Sequence, residues 1–242
     1  GILLAAGRGT RMAPLGIKHP KPSYPVGGHS ILINDLLLLD KICEEIIIIV
    51  GYLKEELIET VSQYQFTAKI KYVYQEAPYN QGSGYCINLA KDQISSTHAI
   101  LLNSDDLYQL EMLQDLAKHD RAMIGYVTED WRNNGILKTD GDGNLISVVE
   151  KPNEYIGNLS NINCCIFRKE DWALAEKIKL NEIRNEYEVT DLYSILIEKK
   201  IKVIEYNAGW TPIGYAHSLL KANLDLLEKL NLNELVLSDA KI

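Results

Sequence analysis

Through its first half the chain alternates short aliphatic runs with longer stretches whose apolar residues recur at helical spacing. Residues 1–5, Glu45–Val50 and 99–103 are runs of strand length, as expected of strands covered on both faces. Lys69–Tyr74 alternates and also reads as a strand. Between them, Ser30 is placed to cap an apolar helix running to about Cys43, and 53–63, 84–92 and 110–118 have helical spacing. This rhythm predicts an α/β fold: a doubly wound, mostly parallel sheet with helices on both faces. In such sheets the ligand sits beyond the carboxyl ends of the strands.

The second half changes character. Residues 137–139 and 145–149 flank Asp140-Gly-Asp-Gly-Asn144, a hairpin signal. That turn begins like a calcium loop, D-x-D-x-N. Positions six and twelve are Leu145 and Lys151, where Gly and Glu are required, so it reads as a turn only. A strand over 162–168, helical segments, the strand Lys202–Tyr206 and an amphipathic helix from about Ala216 follow. No repeat or low-complexity linker interrupts the pattern. Residues 1–242 therefore read as one domain, with a core over 1–130, a small β-rich lobe over 131–215 and a helical tail over 216–242.

At 46% hydrophobic residues the chain can build a sizeable core. Its net charge of −8 lacks the basic footprint of a nucleic-acid binder, so anionic ligands must be met by local cations. No apolar run approaches the roughly 20 residues that span a bilayer, and no membrane partner is expected. Cys43, Cys86, Cys164 and Cys165 lack metal-ligand spacing and read as packed thiols, which suits the cytoplasm. The adjacent pair would point to opposite faces of a strand. The chain opens inside a strand, with neither a methionine nor a leader pattern, so a few residues are expected upstream. The apolar 230–237 run is expected at a homo-oligomer interface or back against the core.

Candidate chemistry starts where the first strand opens into Gly7-Arg-Gly-Thr-Arg11, followed by Pro20-Lys21-Pro22. Backbone N–H groups in such a turn form a nest for phosphate oxygens, and Arg11 and Lys21 can neutralise the remaining charge. The run reads as a nucleoside triphosphate site. The dinucleotide pattern G-x-G-x-x-G fails at Met12, and residues 25–30 offer no carboxylate for a ribose; the G-x-x-x-x-G-K-[ST] loop is absent. A plain turn with surface cations would explain two glycines, but not the whole run.

Asp105 and Asp106 follow a buried strand at the same edge. They suit Mg²⁺, which takes one or two carboxylates plus phosphate oxygens; an Asp-rich turn is the other reading. Glu150-Lys151-Pro152 sets a further cation at a strand end, either for a second phosphorylated substrate or as a solvated strand end. Gln75 offers an amide that pairs with uracil or thymine, and Gly82-Ser83-Gly84 would let backbone approach a base. A polar strand end and a loop describe these residues equally well. Trp210 and Tyr187 read as sugar-site walls or as core.

Leu4-Ala-Ala-Gly-Arg-Gly-Thr-Arg11, Pro14-Leu15 and Pro20-Lys-Pro22-x-x-Pro25-Val26 together resemble the signature of the sugar-1-phosphate nucleotidylyltransferases. The likeness continues in order through Gln75, Gly82-Ser-Gly84, Ser104-Asp105, Glu150-Lys-Pro152, Glu186-Tyr-Glu-Val-Thr-Asp191 and Trp210-x-x-x-Gly214. It implies a Rossmann-like nucleotidyltransferase core over 1–130 and a sugar-phosphate lobe over 131–215. The implied reaction joins an NTP, with UTP or dTTP favoured, to a sugar 1-phosphate, giving an NDP-sugar and pyrophosphate with Mg²⁺ assistance. Ala5, Ala6, Gly7, Gly9, Thr10 and Ser83 would then contact the nucleotide, while Gln75 and Gly82 read the base. Arg11 and Lys21 would hold the triphosphate and, with Asp105, carry catalysis. Asp105 matches the metal-binding aspartate, with Asp106 its neighbour. Lys151 would grip the sugar phosphate, and Glu150, Asn161 and the Gly135 backbone would meet sugar hydroxyls.

Three departures stand out. A W-x-D-x-G run, which often supplies a second metal ligand in that family, here reads Trp210-Thr-Pro212-Ile-Gly214, and proline cannot bind Mg²⁺. The usual Asn-x-Gly of the sugar site reads Asn161-Ile-Asn163, which adds an amide where close backbone approach is expected. The segment between Gln75 and Gly82 also looks longer than usual. Two alternatives therefore accompany the enzyme reading: an impaired, nucleotide-sugar-binding regulatory protein on the same fold, and a cytidylyltransferase for a non-sugar phosphate.

Overall fold

Ile2–Ala5 (β1), Glu45–Val50 (β2), Lys69–Tyr74 (β3) and His98–Asn103 (β4) form the parallel half of a nine-stranded sheet in the computed structural model, which describes residues 1–229. β1 is central, with Ile2 opposite both Ile47 of β2 and Leu101 of β4. β3 extends the sheet beyond β2. The other half comprises Ala122–Val127 (β5), Gly135–Thr139 (β6), Leu145–Glu150 (β7), Leu159–Arg168 (β8) and Lys202–Tyr206 (β9). The long strand β8 joins the halves, running antiparallel to β4, β5 and β6. β9 lies parallel to β5, and β6–β7 is the hairpin expected around Asp140. The Asp140 carboxylate ties that turn by accepting from the N–H groups of Asp142 and Asn144 at 3.0 and 2.8 Å.

The strand period of two divides the core. Leu3, Ile46, Ile48, Ile100 and Leu102 pack on Ile31–Leu39 (α1), Lys54–Ser62 (α2) and Leu110–Leu116 (α4). Ile2, Ile47, Ile49 and Leu101 pack on Ser83–Ala90 (α3), Val189–Leu196 (α5) and Trp172. Cys164 and Cys165 fall on opposite sides of this divide, as strand geometry requires, and all four cysteines are free. Helices on both faces satisfy the doubly wound expectation.

Ser30 caps α1, its hydroxyl accepting from the Ile33 N–H at 3.2 Å. The helix stops at Leu39 and does not reach Cys43; Asp40 still donates its backbone N–H to the Leu36 carbonyl at 2.8 Å as the C-cap, and its carboxylate accepts from the Ala68 N–H at 2.7 Å. Ala216–Lys229 (α6) packs Ala222 against Val26, Ile31 and Ile213, so the tail helix closes over the segment after Lys21. The 230–237 run lies outside the described residues, among which no helix is long and apolar enough to cross a membrane.

Candidate functional site

The end of β1 turns sharply at Gly9, whose φ of 59° lies in the left-handed region. A Cβ there would stand 2.9 Å from the Lys21 Cβ, so glycine lets the Pro20–Pro22 segment close over the turn. That closure buries Lys21 to 5% exposure and aims its Nζ at Asp105 Oδ2, 2.7 Å away at the end of β4. The Arg11 guanidinium lies 5.8 Å from the Tyr215 ring centroid, within cation–π range.

Two cavities open along this edge. The first, about 390 Å³, holds every residue expected to meet a nucleotide: Ala5, Ala6, Gly7, Gly9 and Thr10 on the turn, then Gln75, Gly82 and Ser83. The second, about 500 Å³, is lined by Gly135, Glu150, Lys151 and Asn161. Arg11, Lys21 and Asp105 line both cavities, so they form the wall where two ligands would meet. Glu186, which opens the Glu186–Asp191 run but was given no role there, also lies on that wall.

Asp105 and Asp106, neighbours in sequence, sit in different surroundings. The Asp105 side chain keeps 36% exposure beside Lys21. Asp106 is buried in a two-residue ladder that sets it opposite Pro212. Burial, followed by the Asp105 charge, pushes its carboxyl up to about 7, against the pull of Lys21. Beneath it Asp35 on α1 is fully buried, and neither carboxyl oxygen has a partner. Burial, then Asp106 and Asp105, drives Asp35 well above the ordinary carboxylate range. Among the described residues no three His, Cys, Asp or Glu side chains converge as a metal cage. The donor set therefore fits an ion held by Asp105 and by phosphate oxygens that arrive with a nucleotide, which is how Mg²⁺ is commonly bound.

In the second cavity a Cβ at Gly135 would lie 2.5 Å from Glu150 Oε2, so glycine leaves that carboxylate room to lie against the strand. Burial raises the Glu150 carboxyl, while Arg184 pulls it down. Arg184 stands 3.4 Å from Glu150 and 2.5 Å from Glu188, bracing both carboxylates; no spacing in the sequence announced it. Asn163 adopts φ 52°, which Asn tolerates better than most residues, at an irregularity in the β8–β5 pairing. Its side-chain oxygen accepts from Asn161 Nδ2 at 2.9 Å and from the Tyr193 hydroxyl at 3.1 Å. The added amide thus braces Asn161. Gly82 answers to packing as well as to any base: its φ is 91°, and a Cβ would strike the Tyr187 carbonyl at 2.3 Å.

The family model described as Nucleotidyl transferase matches residues 1–229. The chain belongs to that nucleotidyl transferase family. It is 32% identical to the bifunctional protein GlmU of Methanocaldococcus jannaschii over 95% of its own length, though only over 55% of the relative. The chain thus spans about half the length of such relatives. It is 28% identical to the UTP–glucose-1-phosphate uridylyltransferase AglF of Haloferax volcanii, covering 94% of this chain and 96% of that one. Among solved structures, a UDP-glucose pyrophosphorylase in complex with UDP-glucose superposes with a TM-score of 0.77 at 20% identity, over 94% of this chain and 98% of that one. At that identity the superposition speaks for the fold, a mixed α/β nucleotidyl transferase architecture.

Proposed function

We propose that this chain transfers a nucleotidyl group from UTP or dTTP to a sugar 1-phosphate, releasing pyrophosphate. The observation that carries the reading is the common wall of the two cavities, formed by Arg11, Lys21 and Asp105. A triphosphate in the first cavity and a sugar phosphate in the second would meet there. A phosphate oxygen of the sugar 1-phosphate attacks the α-phosphorus in line, and the bond from the α-phosphorus to the bridging oxygen breaks. That oxygen leaves with the pyrophosphate, taking the bond's electrons. No covalent nucleophile is required, so catalysis is positioning and charge neutralisation. Arg11 and Lys21 meet the charge that develops on the departing pyrophosphate. Asp105, together with phosphate oxygens, would hold Mg²⁺, which when bound aligns the phosphates and adds positive charge. Asp106, set back and buried, lies behind that position.

The test is pyrophosphate release, crossing the common nucleoside triphosphates against a set of sugar 1-phosphates and phosphoalcohols. Release that depends on one triphosphate paired with one sugar 1-phosphate bears the proposal out. Release only with CTP and a phosphoalcohol would replace it with the cytidylyltransferase reading. Saturable nucleotide-sugar binding without release would replace it with the regulatory one, and would single out Pro212.

Lys151 directly follows β7 with φ 47°, at the edge of the second cavity. Replacing it with alanine is expected to raise KM for the sugar 1-phosphate about tenfold, the value of one hydrogen bond to a charged group, and to leave KM for the triphosphate near its starting value. A variant with both constants unchanged would remove Lys151 from the sugar-phosphate site.

A further inference from the structure

In the first cavity the Gln75 amide is fixed in one orientation. Gln75 is 2% exposed and its backbone N–H donates to the Val50 carbonyl at 2.8 Å. Its side-chain Nε2 lies 3.3 Å from the Pro78 carbonyl oxygen. A carbonyl only accepts, so the amide nitrogen must face it. On the other side, Oε1 lies 3.2 Å from Cys86 Sγ, where the thiol donates. Burial pushes that thiol up to about 12, so the proton stays on sulfur. Turning the amide over would set oxygen against the Pro78 carbonyl oxygen and leave sulfur, a weak acceptor, to meet the N–H. Both contacts hold the same orientation.

Cys86 is itself firmly placed. It lies on α3, whose first residue, Ser83, accepts from the Val189 N–H at 3.1 Å. Gly82, just before the helix, packs without clearance on the Tyr187 backbone. The thiol therefore reports the position of a helix anchored from the sugar lobe.

Held this way, the amide still has one N–H and one oxygen lone pair to offer. Uracil and thymine present a carbonyl oxygen beside a ring N–H. Cytosine presents an amino group beside a ring acceptor, the reverse order. A glutamine free to turn over pairs with either edge, whereas a fixed one matches a single order. We infer that Cys86 is a specificity-determining residue, its thiol fixing the Gln75 amide so that the cavity takes the keto–imino edge of uracil or thymine and rejects the amino edge of cytosine. The inference rests on the nucleotide reading of this cavity. Cys86 acts through Gln75 and is a positioning residue.

The experiment compares the wild type with Cys86→Ala and Cys86→Ser. For each protein kcat and KM are measured with UTP, dTTP and CTP at one sugar 1-phosphate, Kd for each triphosphate is measured by calorimetry, and Tm is recorded. Alanine removes the donor, and the preference for UTP over CTP is expected to fall about fivefold, the scale of one ordinary hydrogen bond, through KM and Kd. Serine restores a donor and is expected to keep the preference. An alanine variant that keeps the wild-type preference overturns the inference while leaving the proposed reaction intact. So does one that weakens UTP and CTP equally with a lowered Tm, since that is lost packing. A wild type that binds no triphosphate overturns the proposed reaction and the inference together.

Discussion

Lys21→Ala is expected to lower kcat for pyrophosphate release by about 10³-fold, with a much smaller change in KM for the triphosphate. The magnitude follows from removing a fixed charge aimed at a developing anion, an effect of about 10²–10³ for a single oxyanion donor and larger for a full cation on a phosphoryl group. The asymmetry between the two constants follows from when the charge appears. Negative charge accumulates on the departing pyrophosphate in the transition state, so a cation that meets it acts mainly on turnover. Lys21 is suited to this task because it is nearly buried, where its field is poorly screened, and because Asp105 holds its Nζ at 2.7 Å. Steady-state kinetics with both substrates varied would check it. A variant turning over within tenfold of wild type would remove Lys21 from the reaction.

Much of this arrangement was legible in the sequence because it is written in short-range patterns. The run Ile46–Val50 is apolar at every position, which fits a strand covered on both faces, and both faces of β2 are buried. The glycine turn and the Pro20–Pro22 segment each carry their own backbone restrictions, so their conformations follow from a few residues. The two cavities collect the turn, Gln75 and Gly82 on one side and Gly135, Glu150, Lys151 and Asn161 on the other, with Ser83 lining both.

Other features depend on packing between distant segments. Asp105 and Asp106 carry the same chemistry in sequence, and only the ladder with Thr211–Pro212 exposes one and buries the other. Asp35 lies among leucines and isoleucines on α1, and nothing local marks it as a carboxyl facing Asp106. The Asp40 carboxylate at the end of α1 accepts from the Ala68 N–H, far along the chain. Arg184 reaches Glu150 from a different element, and Cys86 reaches Gln75 across a loop that includes Pro78. These contacts refine a site whose outline the motifs had already drawn.

Gly9→Ala probes the coupling between that outline and its chemistry. Alanine would have to hold φ near 59°, at a cost of about 1–3 kcal/mol in stability. Its Cβ would also lie 2.9 Å from the Lys21 Cβ, a stem atom held by the short helical turn Lys21–Ser23. The lysine cannot rotate away from that contact without drawing Nζ off Asp105. The variant is therefore expected to melt several degrees below the wild type and to lose about 10²-fold in kcat, since displacing a positioned group by an ångström can cost that much. Gly7→Ala makes the comparison sharp: a Cβ there meets no atom within 4 Å, and no positive φ is imposed. It should leave Tm unchanged, and any loss should appear as weaker triphosphate binding because the new methyl enters the first cavity. Equal losses of turnover in the two variants would show that the turn serves only to admit phosphate. A much larger loss at Gly9 would tie catalysis to the placement of Lys21.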